Sequence, residues 1–306
     1  MTLKEKIIHA QNVLKVANKL SKTYYKKPIA ICYSGGKDSD VLLDIAIKTL
    51  APEDFVVINA HTTLDAPETV YHIRNKFKDL KAHGFNCEIK YPYYKGERTS
   101  FWKICREKNI LPTRIVRFCC SVLKEVSTPQ QVAALGVRES ESSGREGRDD
   151  FGTREKRKAN AIFKSAQHTN AMIDFDQDEN NSSSFECEII KNAKANKDIV
   201  CNPIYKFNEY DIWTYINTYN IKVNPLYKEG FKRIGCVGCP MSSKGRRKEF
   251  ARFPKYEYNF KRLCDRLYAD RIEKGVECKS FKSGEDMFKW WMEEDPYQIT
   301  FDDLLK

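Results

Sequence analysis

The chain has 306 residues, with 53 Lys and Arg against 42 Asp and Glu, for a formal net charge of +11. That length supplies ample core for one large domain or two small ones. No apolar run approaches the ~20 residues of a membrane helix, which excludes a helical membrane protein. The start, Met1-Thr2-Leu3-Lys4-Glu5-Lys6, leads into a helical pattern rather than a signal peptide, so the expected compartment is the cytoplasm. Eleven cysteines there read as metal or catalytic positions plus buried thiols, not as a disulfide framework. A basic balance suits polyanionic partners, nucleotides at least and nucleic acid by extension, although a solvated face has the same composition.

Leu3, Ile7, Ala10, Leu14 and Ala17 recur at helical spacing, so residues 3–20 form an amphipathic helix. Pro28 to Tyr33 is a short apolar run of buried-strand type. Ser34-Gly35-Gly36-Lys37-Asp38-Ser39 follows it and precedes an amphipathic stretch from Val41 to Ile47. Strand, glycine turn and helix in that order build an anion site. Glycines bring backbone amides close, and the helix start adds free N–H groups and its positive dipole end. Lys37 adds a mobile cation, and Ser34 and Ser39 add hydroxyls. The expected ligand is a di- or polyphosphate. The spacing is not that of a Walker A loop.

Phe55 to Asn59 reads as a second buried strand, with His61 and Thr62 at its carboxyl end, where open α/β sheets bind ligands. Asp65 and Glu68 have capping-box spacing around Pro67, predicting a helix that Gly84 ends. Cys87 to Tyr91 is a third strand candidate, and the loop Tyr93 to Arg98 is aromatic and basic. Cys119 and Cys120 lie beside Arg114 and Arg117, which predicts depressed thiol pKa values and ready metal binding. Val132 to Val137 is a fourth strand candidate. The polar loop after it carries Arg138 and Arg145, suited to phosphate or sulfate.

From about 146 to 198 the pattern weakens, as in an elaborated insertion. Order returns at Asn202-Pro203-Ile204-Tyr205. Asn208 caps a helix carrying Ile212, Trp213 and Ile216, and the turn-rich Asn224-Pro225-Leu226-Tyr227 leads to Cys236-Val237-Gly238-Cys239. Lys244 to Arg262 carries eight Lys or Arg against two Glu, interleaved with Phe250, Phe253, Tyr256, Tyr258 and Phe260. Such a stretch either grips nucleic acid or is a helix with its aromatics in the core. The tail through Trp290 and Trp291 reads as helical. Cys119, Cys120, Cys236 and Cys239 together make a four-thiolate set that suits zinc or a 4Fe–4S cluster.

Taken in order, SGGKDS, Arg117-Phe118-Cys119-Cys120, Gly136-Val137-Arg138, Asn202-Pro203-Ile204-Tyr205, Asp211-Ile212-Trp213, Asn224-Pro225-Leu226-Tyr227 and Ile234-Gly235-Cys236-x-x-Cys239 resemble the phosphoadenosine phosphosulfate reductase family. The likeness covers roughly residues 25–140 and 200–242. It leans toward members with a 4Fe–4S cluster on Cys-Cys and Cys-x-x-Cys, relatives of adenylylsulfate reductases and of DNA phosphorothioation proteins.

The resemblance implies an α/β fold, a Rossmann-like parallel sheet of the adenine nucleotide alpha-hydrolase type. It implies a nucleotide-binding domain over 1–242 and a basic, aromatic, helical region over 243–306. It implies ATP with Mg²⁺ on Ser34, Gly35, Gly36, Lys37, Asp38, Ser39, His61 and Thr62, with catalysis by Lys37, Asp38, Arg138 and Arg145. The metal ligands are then Cys119, Cys120, Cys236 and Cys239, for a 4Fe–4S cluster or alternatively Zn²⁺. The implied reaction is adenylation of an acceptor in sulfur transfer. The expected partners are an adenine nucleotide, nucleic acid through 244–262, and proteins of a sulfur-transfer or defence complex. Two other readings stay open: a sulfonucleotide reductase using Cys278, and a non-enzymatic nucleotide-sensing subunit. The reductases' Glu-Cys-Gly-Leu/Ile-His ending is absent, since Glu277-Cys278 runs into Lys279-Ser280.

Overall fold

In the computed structural model the described residues are 1–124, 128, 131–141, 149–153, 189, 191–195, 197–275 and 281–293. The chain forms two compact units. One comprises 1–59, 68–89 and 128–234; the other comprises 60–67, 90–127 and 235–306.

The first unit is built on a six-stranded sheet. The strands are β1 (Ile29–Cys32), β2 (Phe55–Ala60), β3 (Asn86–Lys90), β6 (Ala133–Ala134), β7 (Phe151–Thr153) and β8 (Ile199–Cys201), ordered β3-β2-β1-β6-β8-β7. β1 pairs in parallel with β2 and β6, β6 pairs in parallel with β8, and β7 runs antiparallel along the edge of β8. This is the expected α/β class. Ile29, Ala30 and Ile31 are fully buried, which is why the strand reads as a continuous apolar run. Sequence order turns one way to β2 and the other way to β6, so the carboxyl end of β1 is the switch point at which such sheets leave a crevice.

Helix α1 (Leu3–Leu20) starts with a capping box between Thr2 and Glu5 and buries Ala10, Leu14 and Ala17. Helices α2 (Lys37–Thr49) and α3 (Pro67–Ala82) follow β1 and β2 as the sequence predicts. The Asp65 carboxylate accepts from the Thr62 N–H at 3.0 Å and lies 3.4 Å from His61 Nδ1. Within the stretch read as an insertion, β7 is a strand of the sheet, and residues 154–188 lie outside the described residues.

Among the described residues the second unit is mainly helical and carries a hairpin, β4 (Tyr93–Tyr94) with β5 (Glu97–Arg98). Its helices are α4 (Phe101–Lys108), α5 (Phe118–Leu123), α7 (Gly245–Arg252), α8 (Pro254–Glu273) and α9 (Gly284–Met292); α6 (Glu209–Thr218) belongs to the first unit. Phe101, Phe250, Phe260 and Trp291 pack ring on ring in the core, with Phe260 stacked on Trp291 at 4.7 Å. Two buried polar side chains reach main-chain carbonyls: the Trp291 indole N–H donates to that of Pro112 at 2.8 Å, and Arg271 Nη2 to that of Asn109 at 2.7 Å. Among the described residues no helix is long and apolar enough to cross a membrane.

Candidate nucleotide loop and cysteine centre

The loop after β1 is held open by its backbone. Gly35 has φ +73°, and a Cβ there would lie 2.8 Å from Ile73 Cγ1, so the position accepts neither an ordinary backbone nor a side chain. Gly36 is the extended N-cap of α2 and supplies no side-chain cap, which leaves first-turn amides for an anion. One of them, the Lys37 N–H, donates to the Tyr227 hydroxyl at 2.9 Å. The serines tie the loop to itself: Ser39 Oγ donates to the Gly36 carbonyl at 2.7 Å, and the Ser34 hydroxyl and N–H each donate to Ser39 Oγ at 3.3 Å. Asn224 Nδ2 donates to the Gly35 carbonyl at 3.4 Å and to Thr69 Oγ1 at 3.0 Å. After β6 the chain passes so close that a Cβ on Gly136 would sit 3.3 Å from the backbone of Asp38 and Ser39.

Two cations converge on this loop. Lys37 Nζ lies 3.6 Å from Asp38 Oδ2, 3.4 Å from Glu209 Oε1 and 5.5 Å from the Tyr227 ring centroid. Arg138 Nε lies 2.6 Å from Asp38 Oδ1, and its Nη2 donates to Glu209 Oε2 at 2.8 Å. Lys37 and Arg138 side chains are each 5% exposed, whereas that of Glu209 is 56% exposed. Burial pushes the Glu209 carboxyl up, but Lys37, the Trp213 indole N–H and Arg138 outweigh it and hold the group below its ordinary value. So Lys37, Asp38 and Arg138 come together as the sequence predicts. Glu209 and Tyr227 were not foreseen as site residues. Tyr227 was signalled by its Asn-Pro-Leu-Tyr motif, whereas Glu209 carried no signal beyond following a helix cap. Arg145 lies outside the described residues.

The cysteines belong to the second unit. Cys119 and Cys120 are on α5, and Cys236 to Cys239 form a turn docked by an antiparallel bridge between Asp65 and Cys236 and by Val237 N–H to the Leu64 carbonyl at 2.8 Å. Cys236 Sγ donates to Thr62 Oγ1 at 3.4 Å, and His61 packs edge-on against Tyr91. His61 and Thr62 are thus grouped with the cysteines.

The depressed thiol pKa expected for the vicinal pair is overturned at Cys119. The hydrogen bond with Cys120, burial, and the charges of Cys120, Cys236 and Cys239 all push the Cys119 thiol up, and burial and Cys236 raise Cys239. Lys124 is pushed up chiefly by Cys236, against its own burial, with Cys120, Asp65 and Cys239 adding to the rise. Cys119 thus feels the other three sulfurs, and Lys124 feels Cys120, Cys236 and Cys239. Among the described residues no three His, Cys, Asp or Glu side chains converge closely enough to hold a metal ion. The donor chemistry, four cysteine sulfurs, is of the soft kind that a zinc ion or an iron–sulfur cluster takes.

In the basic stretch, Phe250, Phe253 and Phe260 are buried, and the Tyr256 hydroxyl donates to the Asp65 carbonyl at 2.7 Å. Tyr258, 61% exposed, alone of the five aromatics is left on the surface beside exposed Lys244, Arg247, Lys248, Arg252 and Lys255. The stretch offers charge to a polyanion but not a row of stacking rings.

Residues 28–242 match the phosphoadenosine phosphosulfate reductase domain family. An uncharacterized protein of Methanocaldococcus jannaschii is 27% identical over 260 residues, 82% of this chain and 44% of that protein. A second from the same organism is 28% identical over 208 residues, 68% of this chain and 40% of that protein. The chain thus spans less than half the length of these two relatives. An adenosine 5'-phosphosulfate reductase of Neisseria meningitidis is 47% identical over 38 residues, 12% of this chain and 16% of that protein. Among solved structures, the phosphoadenylyl-sulfate reductase of Candida auris superposes with a TM-score of 0.45 at 16% identity, over 74% of this chain and 87% of that one.

Proposed function

The chain belongs to the phosphoadenosine phosphosulfate reductase domain family, and from that membership we propose that it is an ATP pyrophosphatase of the PP-loop type that adenylates an acceptor for sulfur transfer. The observation that carries this reading is the loop itself: an uncapped helix start behind Gly35 and Gly36, with the buried cations Lys37 and Arg138 beside it. The β- and γ-phosphates rest on the loop amides and Lys37. An acceptor nucleophile bonds to the α-phosphorus, the α–β bridging bond breaks, and pyrophosphate leaves with the electron pair. Lys37 and the amides stabilise the charge that develops on it. Arg138 holds the α-phosphate side. Asp38 fixes Arg138 and is the carboxylate at hand for Mg²⁺, which when bound neutralises phosphate charge.

Cys119, Cys120, Cys236 and Cys239 would hold a 4Fe–4S cluster, a group that supplies a sulfur or charge relay. The exposed Lys and Arg between 244 and 262 are suited to a nucleic-acid acceptor, and sulfur-transfer or defence proteins are the fitting partners. Oxidation-sensitive thiols of this kind belong in the cytoplasm.

The test is anaerobic pyrophosphate release from Mg-ATP, with and without DNA or RNA. Release stimulated by one polymer supports the reading and names the acceptor class. Sulfite formed from a sulfonucleotide instead, lost in Cys278→Ser, moves the protein to the reductases, a reading favoured by the short match to adenosine 5'-phosphosulfate reductase.

For the cysteine centre, protein purified without oxygen should be brown and contain iron and sulfide, and Cys236→Ser should lose most of both. A colourless zinc protein overturns the cluster.

A further inference from the structure

We propose that Glu209 is an internal stand-in for the ligand's phosphate, occupying Lys37 and Arg138 until a polyphosphate displaces it. The inference rests on the reading of the loop as a polyphosphate site. Three observations carry it. The carboxylate divides its oxygens between the two cations, with Oε1 at 3.4 Å from Lys37 Nζ and Oε2 at 2.8 Å from Arg138 Nη2. The cations are almost wholly enclosed, whereas the carboxylate is 56% exposed, so it enters from the solvent side. Glu209 also stands outside the loop, as the first residue of α6. Asp38, by contrast, is part of the loop and stays with Arg138 at 2.6 Å.

With Glu209 in place, Lys37 and Arg138 meet the carboxylates of Asp38 and Glu209 and, 3.9 Å from Arg138 Nη2, that of Glu141, so the loop has no positive charge to offer an anion. Removing Glu209 takes away one of these three negative charges and frees both cations on their solvent side. An incoming pyrophosphate group has the charge and the span to take both cations, and an exposed glutamate at a helix start can swing into water at little cost. The released carboxylate gives up the Trp213 indole N–H as well, which it accepts at 2.9 Å. Trp213 packs edge-on against Tyr227, at 5.5 Å and 89°, and the Tyr227 hydroxyl accepts the Lys37 N–H. Displacement of Glu209 is therefore felt at an indole beside the loop.

The experiment measures binding of inorganic pyrophosphate to the full chain, with and without Mg²⁺. Glu209→Gln keeps the shape and removes the charge. The competing state then vanishes, and apparent affinity rises by about fivefold to tenfold. A purely structural lesion does not tighten binding. In a Lys37→Ala background the same substitution should gain much less, because one of the two sites of competition is gone. Binding to the wild type should change tryptophan emission, and that change should vanish in Trp213→Phe. Unchanged or weaker binding by Glu209→Gln, including weaker binding only with Mg²⁺, overturns the inference and leaves the loop reading intact. No pyrophosphate binding by either chain overturns both.

Discussion

Lys37→Ala should lower pyrophosphate release by about 10²- to 10³-fold, the usual cost of removing one donor from a site of developing negative charge. The lysine is not a loose surface cation. Its side chain is 5% exposed, lies against the Tyr227 ring, and has its ammonium between Asp38, Glu209 and the Lys232 carbonyl at 3.4 Å. Alanine leaves Asp38, Glu209 and Glu141 with Arg138 as their single counter-ion, so the loop becomes one charge more negative. Lys37→Arg should not restore the rate, because a planar guanidinium does not fit where an ammonium is enclosed this closely. The comparison to make is single-turnover release under anaerobic conditions, with far-UV circular dichroism to show that the helices persist. A variant within threefold of the wild type would remove Lys37 from the chemistry and the loop from the proposed mechanism.

What the sequence disclosed follows from where each signal is local. The run Ile29–Cys32, the two glycines and the following helix are set by adjacent residues, so strand, loop and helix were all legible. The Asn208 cap was legible for the same reason, with Asp211 completing the capping box three residues later. The fourth strand shrank to Ala133–Ala134, and β7 went unread within a polar stretch, because an edge strand of three residues needs no apolar run.

The site was half visible for a related reason. Glu209 is an ordinary exposed glutamate until the fold brings Lys37 and Arg138 to it from 172 and 71 positions earlier in the chain. The thiol pKa was inferred from Arg114 and Arg117, which are neighbours in sequence. In the structure the groups that dominate Cys119 are the other sulfurs. The aromatics between 244 and 262 posed a question periodicity cannot answer, since helical spacing gives a shared face but not what lies against it. Phe101 and Trp291 answer it by closing over Phe260.

That same packing should make Gly238→Ala a strongly damaging substitution outside the loop. Gly238 has φ +75°, and a Cβ there would come within 2.7 Å of Phe250 Cζ and 2.9 Å of Phe260 Cε2. Neither ring can yield. Phe250 and Phe260 meet edge to face at 5.6 Å, and Phe260 is stacked on Trp291 and set against Trp102 at 5.0 Å. The left-handed backbone costs about 1–2 kcal/mol in any residue but glycine, and overpacking adds about 1–3 kcal/mol. Gly275→Ala is the control, because Gly275 has φ +68° with no atom of the described residues within 4 Å of its Cβ position, and it should show the backbone cost alone.

Calorimetry of both variants separates the two costs. Gly238→Ala should lower the melting temperature of its unit well beyond Gly275→Ala. It should also cost function, because Gly238 lies between Cys236 and Cys239 and its N–H donates to Glu249 Oε2 at 2.7 Å. A chain forced to turn elsewhere carries the two sulfurs apart, so iron retained after anaerobic purification should fall with stability. If both variants melt alike and keep their iron, the aromatic floor beneath the cysteine turn is not what shapes it. If Gly238→Ala alone fails on both counts, that floor sets the spacing of Cys236 and Cys239 and links the buried rings to the metal chemistry.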